Sequence, residues 1–159
     1  RMDQGTVHAS ITTIDLGKTV GQAALPFEST AFEEGKQYDL RLPEGIFCQG
    51  DPDLLAQLTV ILLGNAFKYC DEHGRIGVEV KKHGKGAKLL VSNTGEGIAP
   101  EDMERIFDRF YRGDSSHNRE KEGNGLGLSI ARKNVEEHHG KIRVISDPGA
   151  ETVFMVTLP

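Results

Sequence analysis

The chain has 159 residues, 37% of them hydrophobic and 27% charged, a size and mixture that suit one globular domain with its own core. A formal net charge of −5 argues against nucleic acid and acidic membrane surfaces as partners, so any phosphate site must use local donors. Cys48 and Cys70 form no CxxC, which reads as reduced thiols of a cytosolic protein, and no apolar run approaches the roughly 18 residues that span a bilayer.

The chain opens on Arg1-Met2-Asp3 with neither an initiator methionine nor a signal peptide, so it reads as a piece of a longer protein. From Asp15 to Gly35, Leu16, Val20, Ala24, Phe27 and Ala31 recur at helical spacing, and Pro26 predicts a break within that run. Tyr38, Leu40 and Leu42 alternate as a strand, and Ile46 to Cys48 reads as another. Asp51-Pro52 is a helix start, with Asp as N-cap and Pro at the first helical position, and the helix runs to Tyr69. Ile76, Val78 and Val80, a turn at His83–Gly86, and the stretch from Ala87 to Asn93 predict a hairpin. Pro100 to Tyr111 reads as a short amphipathic helix carrying Met103, Ile106, Phe107 and Phe110. Arg112 to Gly123 holds no aliphatic or aromatic residue and is expected to be a mobile loop. Leu126 to His139 is helical and closed by Gly140; strands follow at Lys141–Ser146 and Thr152–Leu158. The sum is an α/β (α+β) domain, its strands mostly in hairpins and its helices on one face.

Three features carry chemistry. Asn65 falls in a stripe formed by Leu54, Leu58, Ile61, Leu62 and Tyr69, where an unpartnered amide costs about 1–3 kcal/mol. From this helix alone, a core amide satisfied by backbone and a ligand site shared with Lys68 and Tyr69 are both open. Asn93-Thr94-Gly95-Glu96-Gly97-Ile98 follows a strand directly, and its paired glycines allow close backbone approach to a ligand. Gly123-Asn124-Gly125-Leu126-Gly127-Leu128 opens a helix, whose exposed N–H groups suit a phosphate. Gly17-Lys18-Thr19 ends like a P-loop but lacks the earlier glycine, that place being Thr12, and Leu128 stands where a dinucleotide fingerprint needs its third glycine.

Taken in order, Leu62-Leu63-Gly64-Asn65-Ala66-Phe67-Lys68-Tyr69, Asn93 to Ile98, Ile106-Phe107-Asp108-Arg109-Phe110-Tyr111-Arg112 and Gly123 to Ile130 closely resemble the N box, first glycine box, F box and second glycine box of the ATP-binding domain of sensor histidine kinases. The resemblance covers almost the whole chain. It implies the Bergerat fold, a two-layer α/β sandwich with a flexible ATP lid, over residues 6–159, with residues 1–5 as the tail of a preceding helical dimerisation domain. It implies ATP and Mg²⁺ as ligands: Asn65 giving an oxygen to Mg²⁺, Lys68 neutralising phosphate charge, and Tyr69 lining the site. By the same resemblance Asn93 accepts from the adenine amino group, and Gly95, Gly97 and Ile98 turn around the base. Phe110 anchors the lid, Arg112 reaches the phosphates, and Gly123, Gly125, Leu126, Gly127, Leu128 and Thr152 complete the nucleotide site.

Three positions depart from the family pattern. Asn93 stands where Asp is commonest, though an amide also offers an acceptor oxygen. Ile61 stands where a second Asn is frequent, and where related ATP hydrolases carry a water-activating Glu; Ile cannot be a base. Glu151 stands where a glycine is usual and is expected to point to solvent. The transfer also needs a histidine followed by an acidic residue. None of His8, His73, His83, His117, His138 and His139 is so followed, and each is expected on a surface, in a turn or at a helix end. The implied partners are therefore the parent's own helical phosphoacceptor domain and, through it, a response regulator. No nucleic acid or membrane contact is expected for this cytoplasmic domain, and its parent is expected in the cell membrane. The competing readings are an anti-sigma-type serine kinase of the same fold and a degenerate nucleotide-binding interaction module.

Overall fold

Local punctuation sets where the helices begin and end. Pro26 divides the first helical stretch into α1 (Leu16–Ala24) and α2 (Phe27–Glu34), and Gly35 closes α2 at φ 68°. Asp51 caps α3 (Pro52–Tyr69): its Oδ1 accepts the N–H groups of Asp53 at 2.9 Å and Leu54 at 3.2 Å. Such a cap contributes about 1 kcal/mol.

The computed structural model describes residues 2, 3, 6–108, 127–147 and 149–159. β1 (Met2–Asp3) and β2 (Thr6–Val7) pair as a small antiparallel hairpin. β3 (Thr12–Asp15) pairs antiparallel with β5 (Phe47–Gly50), outside the main sheet. The main sheet has five strands: β4 (Gln37–Arg41), β6 (Arg75–His83), β7 (Gly86–Thr94), β8 (Lys141–Ser146) and β9 (Glu151–Leu158), in the order β4-β6-β7-β9-β8. Only β4–β6 is parallel.

One face of this sheet is the core face. Ile76, Val78 and Val80 of β6, Ala87, Leu89 and Val91 of β7, and Phe154, Val156 and Leu158 of β9 are all buried. Against them pack Leu16 and Val20 of α1, Leu55, Leu58, Leu62, Leu63 and Ala66 of α3, and Ala131 and Val135 of α4 (Gly127–Glu137). Each fully buried Leu or Val contributes roughly 1.5–3 kcal/mol.

α4 runs antiparallel to α3 because two polar side chains fasten its C-terminal half. Asn134 Nδ2 donates to the Leu54 carbonyl at 2.7 Å, and His138 Nε2 accepts the Asp51 N–H at 3.0 Å. His138 Nδ1 meets the Asn134 carbonyl at 2.7 Å, which assigns the ring proton to Nδ1. His138 stands at a helix end, as expected, yet is only 1% exposed: a helix end that packs onto another helix end buries its last turn. Two boundaries also differ. The left-handed residue that ends α4 is His139, at φ 60°, rather than Gly140; glycine is needed next because a β-carbon there would collide with the Thr157 carbonyl. The segment read as a helix from Pro100 is a 3-10 turn at Pro100–Asp102, continued by three-residue bonds from Arg105 N–H to the Asp102 carbonyl and from Asp108 N–H to the Arg105 carbonyl, each 2.9 Å. That tighter path brings Phe107 edge-on to Phe154, with ring centroids 6.0 Å apart. Tyr111 lies outside the described residues.

Candidate functional site

The core face turns polar at one end. Strand register aligns Ile76, Asn93, Thr152 and Ser146 as neighbours across β6, β7, β9 and β8. Asn93 and Thr152 are 4% and 5% exposed, at places where the rest of each row is aliphatic or aromatic. Asn93 Nδ2 gives one of its two N–H donors to the Thr94 carbonyl at 2.9 Å, and Oδ1 is the acceptor end of the amide. Ser146 Oγ lies 2.9 Å from Thr152 Oγ1 and accepts the Ile98 N–H at 2.8 Å.

The same row is bordered by the first glycine loop. Gly95 and Gly97 take φ values of 151° and 87°, which side chains rarely adopt. A β-carbon on Gly95 would stand 2.6 Å from the Tyr69 carbonyl oxygen, so the loop runs directly against the end of α3. Further bonds tie the two. Asp71 N–H donates to the Thr94 carbonyl at 3.2 Å, and Thr94 Oγ1 donates to Asp71 Oδ1 at 2.6 Å while accepting the Arg75 N–H at 2.9 Å. The Thr94 hydroxyl outweighs a small burial effect and holds the Asp71 carboxyl below its ordinary range. An open depression of about 400 Å³ at this end is lined by Asp71, His73, Arg75, Thr94 and Gly95, with Gly149 and Ala150 from the turn between β8 and β9.

At the other side of the site α4 begins. A β-carbon on Gly127 would be 3.7 Å from Ile61 Cγ2, so the first residue of α4 abuts α3 one turn before Asn65. This corrects the reading of Asn65. The buried face of α3 is Leu54, Leu55, Leu58, Thr59, Leu62, Leu63, Ala66 and Phe67, whereas Asn65 and Ile61 are half-buried at its border. Leu54 shares Asn65's side of the helix but is buried because α4 lies over it. Asn65 stands between two contacts, Ile61 with Gly127 and Tyr69 with Gly95. Lys68 is exposed, and Tyr69 is 36% exposed.

Asn65 and Tyr69 come from the last turns of α3, Asn93 from the end of β7, Gly95, Gly97 and Ile98 from the loop that follows it, Gly127 and Leu128 from the start of α4, and Thr152 from the start of β9. Phe110, Arg112, Gly123, Gly125 and Leu126 lie outside the described residues. Glu151, paired with Thr94, points to the sheet face opposite Thr152. Ser146 was not singled out from the sequence, where it is one serine ending a strand. Among the described residues no three His, Cys, Asp or Glu side chains gather as a metal site.

The family model "Histidine kinase-, DNA gyrase B-, and HSP90-like ATPase" matches residues 50–159. The sensor-like histidine kinase SenX3 of Mycobacterium tuberculosis is 33% identical over 150 residues, covering 94% of this chain and 37% of SenX3. The signal transduction histidine-protein kinase BaeS of Escherichia coli K12 is 31% identical over 157 residues, covering 99% of this chain and 34% of BaeS. The chain thus spans a little over a third of the length of these relatives. Among solved structures, the nucleotide-free catalytic domain of the histidine kinase ThkA superposes with a TM-score of 0.82 at 26% identity, covering 94% of this chain and 95% of that one. The mycobacterial sensor histidine kinase MprB gives 0.77 at 26% identity over 93% and 96%.

Proposed function

This chain belongs to the histidine kinase-, DNA gyrase B- and HSP90-like ATPase family and has the Bergerat fold of histidine-kinase catalytic domains, and from that premise we propose that it presents the γ-phosphoryl group of ATP to a histidine on a separate helical domain of a two-component sensor kinase. The observation that carries this reading is the buried polar row Asn93–Thr152 at the end of an otherwise apolar sheet face, flanked by a glycine loop. A polar pair in that position costs free energy unless something completes its hydrogen bonds, and a purine edge does so.

In this reading Asn93 Oδ1 accepts from the adenine amino group, Ile98 packs beside the base, and Gly95 and Gly97 let the backbone pass close to it. Asn65 offers a hard oxygen at the border of α3, which fits Mg²⁺, an ion that takes few protein ligands and keeps water and phosphate oxygens. A bound Mg²⁺ would neutralise phosphate charge, and Lys68 adds a cation on the same side of the helix. Gly127 and Leu128 open α4 toward this space, and the positive end of a helix favours phosphate. Phe110, Arg112, Gly123, Gly125 and Leu126 complete the lid in this proposal. Ile61, lying against Gly127, places a methyl group where a water-activating carboxylate would stand, which disfavours ATP hydrolysis. What remains for the chain is positioning and electrostatics, the bulk of phosphoryl-transfer catalysis.

The reading also takes residues 1–5 as the tail of the helical domain and residues 6–159 as the catalytic domain. The phosphoacceptor and the response regulator are then its partners through the whole protein. No described helix is long and apolar enough to cross a membrane. We assign this domain to the cytoplasmic side of a membrane-bound parent.

Calorimetric titration of the domain with a non-hydrolysable ATP analogue tests the proposal. Saturable binding strengthened by Mg²⁺ is expected, and Asn65→Ala should remove the Mg²⁺ dependence while leaving the melting temperature unchanged. Absence of binding at millimolar ligand would overturn the reading in favour of an interaction module. Full Mg²⁺ dependence in Asn65→Ala would remove Asn65 from the metal site.

A further inference from the structure

We infer that Ser146 sets the direction of the Thr152 hydroxyl and thereby makes the base site select a 6-aminopurine over a 6-oxopurine, an inference that rests on the ATP-binding reading. A hydroxyl has one proton and two lone pairs. One lone pair of Ser146 Oγ is taken by the Ile98 N–H at 2.8 Å, and its other polar neighbour is Thr152 Oγ1 at 2.9 Å. Either hydroxyl can donate across this pair; in the inferred arrangement the Ser146 proton goes to Thr152, and the Thr152 proton is left for a third group, the base. Thr152 sits directly across the strand pair from Asn93, whose amide nitrogen gives one of its two N–H donors to the Thr94 carbonyl, which fixes how the amide is turned. The row therefore offers an acceptor, Asn93 Oδ1, beside a donor, the Thr152 hydroxyl.

That order is complementary to one purine edge. Adenine carries an amino donor at C6 next to an acceptor at N1. Hypoxanthine carries an acceptor at C6 next to a donor at N1, so both contacts would be mismatched. The atom that orients Thr152 also holds the glycine loop through Ile98, so loop position and hydroxyl direction are set together. Ser146 is in this sense a positioning residue, acting on the base through Thr152.

The experiment is titration calorimetry of the domain with ADP and with inosine diphosphate. The unmodified domain should prefer ADP. Ser146→Ala should weaken ADP about fivefold, the loss of one neutral hydrogen bond, while leaving inosine diphosphate nearly unchanged, so that the preference collapses. Ser146→Thr, which keeps the hydroxyl, should restore it. Thr152→Val gives a second route to the same collapse should Ser146→Ala fold poorly. Equal weakening of both nucleotides, or an unaltered ratio in Ser146→Ala and in Thr152→Val, overturns the inference and leaves the ATP-binding reading standing. Binding of neither nucleotide by the unmodified domain overturns both.

Discussion

Replacing His138 by alanine should cost the domain about 3–5 kcal/mol of stability. The ring is 1% exposed and joins the last turn of α4 to the cap of α3. Its removal strands the Asp51 N–H, a buried donor held at 3.0 Å, at about 1–3 kcal/mol. It also opens a cavity beside Gly50, whose hypothetical β-carbon would lie 3.4 Å from the ring, and large-to-small core changes cost about 2–5 kcal/mol. The two contributions overlap, because relaxation that closes the cavity also lets water or backbone reach the N–H. Against a typical total of about 5–15 kcal/mol the loss is large, and for a chain of this size it corresponds to a melting temperature roughly 10 °C lower. Urea unfolding followed by circular dichroism measures it as a shifted midpoint at constant slope. His138→Gln keeps one donor and one acceptor and should lose less than half as much. A loss under about 1 kcal/mol in His138→Ala would refute the argument that this ring fastens α4 to α3.

Gly95→Ala should fold with reduced stability and bind nucleotide at least tenfold more weakly, because its β-carbon meets the Tyr69 carbonyl at 2.6 Å and its φ is 151°; calorimetric affinity within twofold of the unmodified domain would show that the loop need not hold that path. Burial raises the Asp51 carboxyl, but the N–H groups of Ser10, Leu54 and Asp53 outweigh it and leave the group below its ordinary range. A depressed carboxyl stabilises the fold above its unfolded value of about 3.9 and loses that contribution as pH falls through the folded value; urea midpoints from pH 7 to pH 2.5 should therefore drop at the acid end, and less so in Asp51→Asn. Burial pushes the Cys48 thiol up to about 11, so iodoacetamide at pH 8 should modify it only after denaturation, as peptide mass spectrometry would register; rapid labelling of the native domain contradicts that burial.

Much of the fold is legible locally. Pro26, Asp51-Pro52 and the alternation in β6, β7, β8 and β9 act within a few residues, and the sequence period follows directly from the element they build. In the proposed function the four boxes supply the site, since close backbone approach and hard oxygen ligation restrict which residues serve. Long-range choices leave no such mark. Nothing near Thr12 or Cys48 says that β3 and β5 pair with each other apart from the main sheet. The half-burial of Asn65 depends on where α4 starts, and the burial of His138 rather than His139 depends on Asp51, 87 residues away in sequence. Met103, Ile106 and Phe107 have helical spacing, yet the need to bring Phe107 onto Phe154 favours tighter turns. Ser146 has no sequence signature at all, since its place beside Thr152 and Ile98 is a matter of register.

The insertion of β9 between β7 and β8 has a consequence for synthesis. The ribosome completes β7 at Thr94 and β9 only at Leu158. At translation speeds of about 5–20 residues per second, a gap of roughly sixty residues keeps the inner edge of β7 without its neighbour for some 3–12 s. During that interval Leu89 and Val91 lack the strand that completes their layer, and an open edge is a template for pairing with another nascent chain. The vulnerable period of this domain is thus timed by elongation rate, and slowing translation between these two strands should lower its soluble yield.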